Sequence, residues 1–296
     1  MNASLWIRIS HERSKTSFIF HRTSADNVPR TTQTPLPSPE IAASAAASRV
    51  FAGTSGWAYS TWKPAFYPAS TPAKKFLEFY SSQLSSVEVN YTFRALPTVK
   101  MLEDWLAATE PFFRFSFKAP QRITHIKRLA NCDDDVSYLI SILEPVRQAG
   151  KLGLILFQLP PNLKADSTRL TTFLNSPALR TAGAPPIAFE FRHESWFSEE
   201  IYTILRAYNT ALCIAESDEL ATPEVHTAAT HTSFRLRRTG AYSSEEIDAF
   251  VQRFLTLSAD RDVYVYFKHE DEPSGALNAV SFLHKVASQT QKAGPR

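Results

Sequence analysis

From Val50 onward, short runs of alternating apolar and polar residues are separated by longer stretches with apolar residues at helical spacing. Eight runs read as strands: Val50–Ser55, Val87–Asn90, Phe112–Lys118, Leu152–Gln158, Ile187–Arg192, Ala211–Glu216, Ser233–Arg237 and Asp262–Lys268. Helix starts fall between them. Thr71-Pro72 and Leu96-Pro97 place proline at the first helical position, Ser198 precedes Glu199 and Glu200, and Ser243 with Glu246 makes a capping box. Between strands 6 and 7, Ser217 to His231 gives no helix signal, and Pro223 interrupts it.

Eight strand-helix steps predict an α/β fold of the TIM-barrel-like (β/α)8 kind, with an irregular, helix-poor step between strands 6 and 7. The span from Val50 to Arg296 matches the roughly 250 residues such a barrel needs. A doubly wound sheet is the alternative. It more often carries a phosphate-binding glycine loop after its first strand, and Gly53-Thr54-Ser55-Gly56-Trp57 has neither that glycine spacing nor a Lys-Ser/Thr ending.

In a barrel, alternate strand residues point inward, and chemistry gathers at the carboxyl ends. That parity sends Glu88, Asn90, Arg114, Ser116, Lys118, Gln158, Glu190, Arg192, Glu216, Arg235, Arg237, Tyr266 and Lys268 inward. So many ionisable groups are costly to bury unless they pair or meet a ligand. A single pair such as Glu190 with Arg192, or Glu88 with Lys118, is equally well read as a salt bridge filling a barrel layer. As a set, Lys118, Arg192, Arg237 and Lys268 suit a carboxylate or phosphate.

Trp57 and Tyr59 after strand 1, and Trp196 after strand 5, offer flat faces for stacking. The basic loop Ala119 to Leu129, with His125 at its centre, is a candidate cover.

Composition adds limits. The net charge is +3, but residues 1–49 hold six Lys/Arg against three acidic residues, so the barrel itself is close to neutral and nucleic acid is weakly supported as a partner. Those 49 residues lack sustained periodicity and turn Thr/Pro/Ser- and then Ala/Ser-rich, which predicts a disordered extension ahead of a domain at 50–296. An organelle transit peptide is a second reading of that leader. Two cysteines without metal-type spacing argue for a reducing, cytoplasmic setting, and no apolar run is long enough for a membrane span. The histidines show no metal-binding spacing, and the sequence names no cofactor.

Several longer motifs stand along the chain: Gly53-Thr54-Ser55-Gly56-Trp57 with Trp62 and Phe66-Tyr67-Pro68; Val87-Glu88-Val89-Asn90 with Thr92-Phe93; and Phe115-Ser116-Phe117-Lys118 with Ile123-Thr124-His125. Leu156-Phe157-Gln158-Leu159-Pro160-Pro161, Phe189-Glu190-Phe191-Arg192-His193 with Ser195-Trp196, and Tyr266-Phe267-Lys268-His269 with Asn278-Ala279 follow in order. Together they resemble the YecE-like proteins, the domain-of-unknown-function 72 family. The resemblance implies a TIM-barrel-like fold and no established activity or cofactor. Arg235-Leu236-Arg237-Arg238-Thr239-Gly240 stands where many members show Arg-x-His-Gly, and Lys268-His269 where many have Asn.

Three functions compete. The first is a metal-independent enzyme on a small anionic or sugar-like substrate, with Glu88 and Glu190 as general acid and base and Trp57, Tyr59, Asn90, Lys118, His125, Gln158, Arg192, Trp196, Arg237 and Lys268 binding it. The second is a small-anion binding or sensing module without turnover. The third is a metal-dependent, endonuclease-like phosphodiester hydrolase.

Overall fold

The computed structural model describes residues 39–238, 242–267 and 272–293. Strands β1 (Val50–Thr54), β2 (Ser86–Val89), β3 (Arg114–Lys118), β4 (Leu152–Gln158), β5 (Ile187–Glu190), β6 (Ala211–Glu216), β7 (His231–Leu236) and β8 (Asp262–Phe267) form one parallel sheet in the order β1-β8-β7-β6-β5-β4-β3-β2. The two ends of that ladder meet. Ser85 N donates to the Ala52 carbonyl at 3.2 Å and Ala52 N to Ser85 Oγ at 2.9 Å, so the sheet curls into a nearly closed (β/α)8 barrel.

The described helices are α1 (Pro39–Ala47), α2 (Phe76–Gln83), α3 (Val99–Ala107), α4 (Asp133–Gln148), α5 (Ser167–Leu174), α6 (Pro177–Arg180), α7 (Glu199–Ala207), α8 (Ser244–Leu257) and α9 (Ser274–Ala293). None of them is long and apolar enough to cross a membrane. Ser198 caps α7 and Ser243 with Glu246 caps α8, as their sequence signals predict. Pro72 and Pro97 instead stand ahead of their helices. Thr98 caps α3 through the Met101 N–H, and Pro72 precedes a short 3₁₀ turn that leads into α2.

Strand parity divides the apolar residues into two layers. Phe115, Phe117, Phe157 and Phe189 face outward and pack with the helices, while Phe51, Leu154, Leu156, Ala188, Ala211, Cys213, Tyr264 and Tyr266 fill the interior. Tyr264 stacks on Phe51 at 5.2 Å, and Tyr266 Oη bonds Ser86 Oγ at 2.8 Å and Ser116 Oγ at 2.6 Å. The lower barrel is therefore plugged, which leaves the carboxyl ends for polar groups.

Two expectations change and a third holds. In β6 the parity is reversed: Cys213 lies in the interior, and Glu216 leaves the barrel to accept a hydrogen bond from Tyr242 Oη at 2.8 Å. Ala211 and Cys213 are small enough for the crowded interior, whereas Leu212 and Ile214 supply the bulk the helix layer needs. Residues 39–47, expected to lack order, form α1, whose Ala42 and Ala45 are fully buried; its alanines favour helix and allow close packing on α9. The helix-poor step between β6 and β7 is observed, and Thr227 Oγ1 ties it to the sheet by accepting from Leu212 N and donating to the Thr210 carbonyl.

Closure depends on Gly53. A Cβ there would stand 1.8 Å from the Ser86 carbonyl oxygen, a backbone atom that cannot step aside. Gly53→Ala is expected to cost about 3 kcal/mol, the upper end for an overpacked core. Urea unfolding of the purified barrel reads this as a lowered midpoint at unchanged slope.

Candidate functional site at the strand carboxyl ends

Side chains two residues apart on a strand lie on one face, so each inward strand end delivers a lower and an upper group. β2 gives Glu88 and then Asn90, β3 gives Ser116 and Lys118, β5 gives Glu190 and then Arg192, and β7 gives Arg235 and then Arg237. The lower groups make a buried ion-pair network. Arg235 spans it: Nη2 donates to Glu88 Oε1 at 2.6 Å and Nη1 donates to Glu190 Oε2. All three side chains are buried.

Both carboxylates take further donors. Ser55 Oγ donates to Glu88 Oε1 at 2.8 Å, while Gln158 Nε2 at 2.9 Å and Arg192 Nε at 3.1 Å donate to Glu190 Oε1. Burial by itself would raise the Glu190 carboxyl, but Arg235, then Arg192, the Gln158 amide and Arg237 outweigh it and hold it down at about 2. Burial would likewise favour neutral Arg235, yet Glu190 and Glu88 keep it charged, above its ordinary value. One guanidinium faces two carboxylates, and Arg192 offsets the charge left over.

Above this floor lies a cleft of about 610 Å³ lined by Asn90, Tyr91, Phe93, Arg94, Lys118, Gln158, Arg192, Arg235 and Arg237. Five of these are cations, and neither Glu88 nor Glu190 reaches the lining. Among the described residues, no carboxylate lies within ion-pair distance of Arg94, Lys118 or Arg237. Lys118 Nζ instead stands over the Phe93 ring, 4.3 Å from its centroid. Burial first and Arg235 second lower its pKa to about 8, against the smaller opposing pull of Glu88 and Glu190. Burial and Arg235 also lower Arg237. Asn90 Oδ1 and Arg235 Nε are buried without a hydrogen-bond partner among the described residues.

Of the residues proposed from sequence, Asn90, Lys118, Gln158, Arg192 and Arg237 converge on the cleft. Glu88 and Glu190 lie under it. His125 stands behind the rim, edge-on to Phe93 at 4.9 Å with Nδ1 at 2.9 Å from Thr124 Oγ1; burial, Lys118 and Arg192 lower its pKa. Trp196 is not in the cleft: it is fully buried, stacked on Phe191 at 4.6 Å, with Nε1 donating to the Leu163 carbonyl. Its ring fills space between the β5 end and the loop before α5.

Trp57 and Tyr59 also lie away from the lining, against Trp105 and Trp62 respectively. The basic loop after β3 forms a helical turn, Arg122–Ile126, and both Arg122 and Lys127 are engaged by Asp135. Lys268 lies outside the described residues.

Arg235 was read as inward-facing but not as the centre of the site, because its partners sit 147 and 45 residues away. Tyr91, Phe93 and Arg94 follow β2 in a short turn and carry no periodic signal; the aromatic lining comes from them. Among the described residues no three His, Cys, Asp or Glu side chains converge as a metal site.

Fold and site together define a (β/α)8 barrel whose carboxyl-end cleft rests on a buried Glu-Arg-Glu bridge. A family model described as "Protein of unknown function DUF72" matches residues 51–296, and the chain belongs to that family. It is 30% identical over 159 residues to the UPF0759 protein YunF of Bacillus subtilis (strain 168), and 33% identical over 133 residues to the UPF0759 protein YecE of Escherichia coli (strain K12). These alignments take in 52% and 44% of this chain, and the chain spans about half the length of each relative, 54% and 47%.

A crystal structure of a DUF72 family protein from Thermotoga maritima superposes with TM-score 0.68 at 26% identity, covering 79% of this chain and 97% of that one. One from Enterococcus faecalis gives 0.65 at 17% identity over 80% and 95%, which supports the fold alone.

Glu190 makes acid stability a test of the network. Its folded pKa lies below the ordinary value, so its contribution is present above about pH 4.5 and is lost as pH falls toward about 2. Glu190→Gln is expected to lower stability at pH 7 and to flatten that part of the curve. Arg235→Leu, which strands two carboxylates, is expected to cost about 3–5 kcal/mol. Chemical denaturation at stepped pH reads both.

Proposed function

We propose that the cleft binds a small organic anion, a carboxylate or phosphate carrying a compact polar or sugar-like body. The observation that carries this is the division of charge: the buried carboxylates are taken up by Arg235 and Arg192, while Lys118, Arg237 and Arg94 face the cleft without an acidic partner among the described residues. Cations fixed at strand ends, as Lys118 and Arg237 are, lose little entropy on meeting an anion, and guanidinium groups match carboxylate and phosphate oxygens in pairs. Tyr91 and Phe93 supply flat apolar surface, and Asn90 Oδ1 supplies an acceptor for a ligand hydroxyl or amine.

This reading gives Glu88 and Glu190 a supporting part. A pair of acid-base carboxylates needs open space between them for the reacting bond, and here the Arg235 guanidinium occupies that space. Their work is to fix Arg235 and Arg192 below and beside the ligand. Any proton transfer in the cleft would then fall to Lys118, whose pKa is lowered to about 8.

Titration calorimetry with inorganic phosphate and with pyruvate, at constant ionic strength set with sodium chloride, tests the proposal. Saturable binding to the wild-type chain is expected, weakened about tenfold or more in Arg237→Ala and Arg192→Ala, the loss of one charge-assisted hydrogen bond. Binding that is absent, or equal in the variants, would sink the reading.

A further inference from the structure

Among the cations lining the cleft, Lys118 carries an amine where the others carry guanidinium groups. Its ammonium meets no carboxylate among the described residues and rests on the Phe93 ring, a weaker partner than an acid. It projects from the last residue of β3, so a rigid strand sets the position of its stem. Arg235 and Arg192 repel a further positive charge there, and Arg237 lines the same cleft. A lysine crowded by cations and partly desolvated is the arrangement that yields a nucleophilic amine near neutral pH. The arginines serve two ends: they disfavour the ammonium and they hold an anion within reach of it.

We infer that Lys118 is a carbonyl-capturing amine, forming an imine with a small oxo acid or phosphorylated ketone whose anionic group is held by Arg192 and Arg237. The inference rests on the anion-binding reading of the cleft. In the step, neutral Nζ attacks the carbonyl carbon, the C–N bond forms, and the carbonyl electron pair moves to oxygen, which takes up a proton while nitrogen gives one up. The resulting carbinolamine loses its hydroxyl as water with one more proton from solvent. Amine and carbonyl thus become a protonated imine and water, with no change in oxidation state. Glu190 and Glu88 take no part in bond making; through Arg192 and Arg235 they position the cationic wall.

The test treats the full-length chain with pyruvate or dihydroxyacetone phosphate in the presence of cyanoborohydride, which reduces an imine to a stable secondary amine. Intact mass and peptide mapping locate the label. One adduct per chain is expected, on the peptide containing Lys118, suppressed by inorganic phosphate and absent in Lys118→Arg. Its rate is expected to rise with half-maximum near pH 8, below the range of ordinary lysines. Arg237→Ala is expected to slow labelling by pyruvate about tenfold or more, and to slow it several-fold more than labelling by acetone, an uncharged ketone. The two anionic probes separate carboxylate from phosphate recognition.

Label spread over surface lysines without preference for Lys118, or unaffected by phosphate, overturns the inference. If phosphate still binds in calorimetry, the imine chemistry falls alone; if phosphate binding is lost too, the reading of the cleft falls with it. Should Lys118→Arg fail to fold, the wild-type peptide map and the phosphate competition decide by themselves.

Discussion

A guanidinium buried between two carboxylates is the constraint on which the upper barrel is built. Each of the three charges would be costly to remove from water by itself, and an incomplete set would be worse than an apolar filling. Arg235 is tolerated because Glu88 and Glu190 accept from its two terminal nitrogens, and they in turn are held by Ser55, Gln158 and Arg192. Five strands are thereby tied across the barrel axis: Ser55 follows β1, Glu88 lies on β2, Gln158 on β4, Glu190 on β5 and Arg235 on β7. The lock requires a nearly closed barrel, and Gly53 permits the closure by letting β1 pass against the backbone of β2.

The same lock decides what remains available for a ligand. Neutralisation draws in Arg192 from above the floor but leaves Lys118 and Arg237 without an acidic partner among the described residues. Both stand two residues beyond the inward lower position of their strands. Beneath the network, Tyr266 with Ser86 and Ser116, and then Tyr264 with Phe51, plug the barrel. The proposed anion would therefore meet a cationic surface backed by a filled core. That is the arrangement in which charge recognition is strongest for its cost in reorganisation.

Parity carried much of this into view from the sequence. The alternation in Phe189-Glu190-Phe191-Arg192 and in Phe115-Ser116-Phe117-Lys118 places the polar partners inside, because bulky aromatic rings belong in the helix layer. It misled at β6, where Ala211 and Cys213 are as apolar as Leu212 and Ile214, so the residue types do not say which face is which. Size settles that, once the interior is known to be crowded. Trp196 was misplaced for a related reason: an aromatic residue in a strand-end loop looks the same from sequence whether it lines a cleft or fills the space beneath a neighbouring loop.

What the sequence by itself determined is the barrel, its eight strands and the inward charges of β2, β3, β5 and β7, since these follow from local periodicity and side-chain volume. What only the tertiary structure decided is how those charges are divided. Glu88, Glu190 and Arg235 stand far apart along the chain, and nothing in their local surroundings tells a general acid from a counter-ion. Distance across the barrel makes that distinction: Arg235 reaches both carboxylates and leaves Lys118 without either.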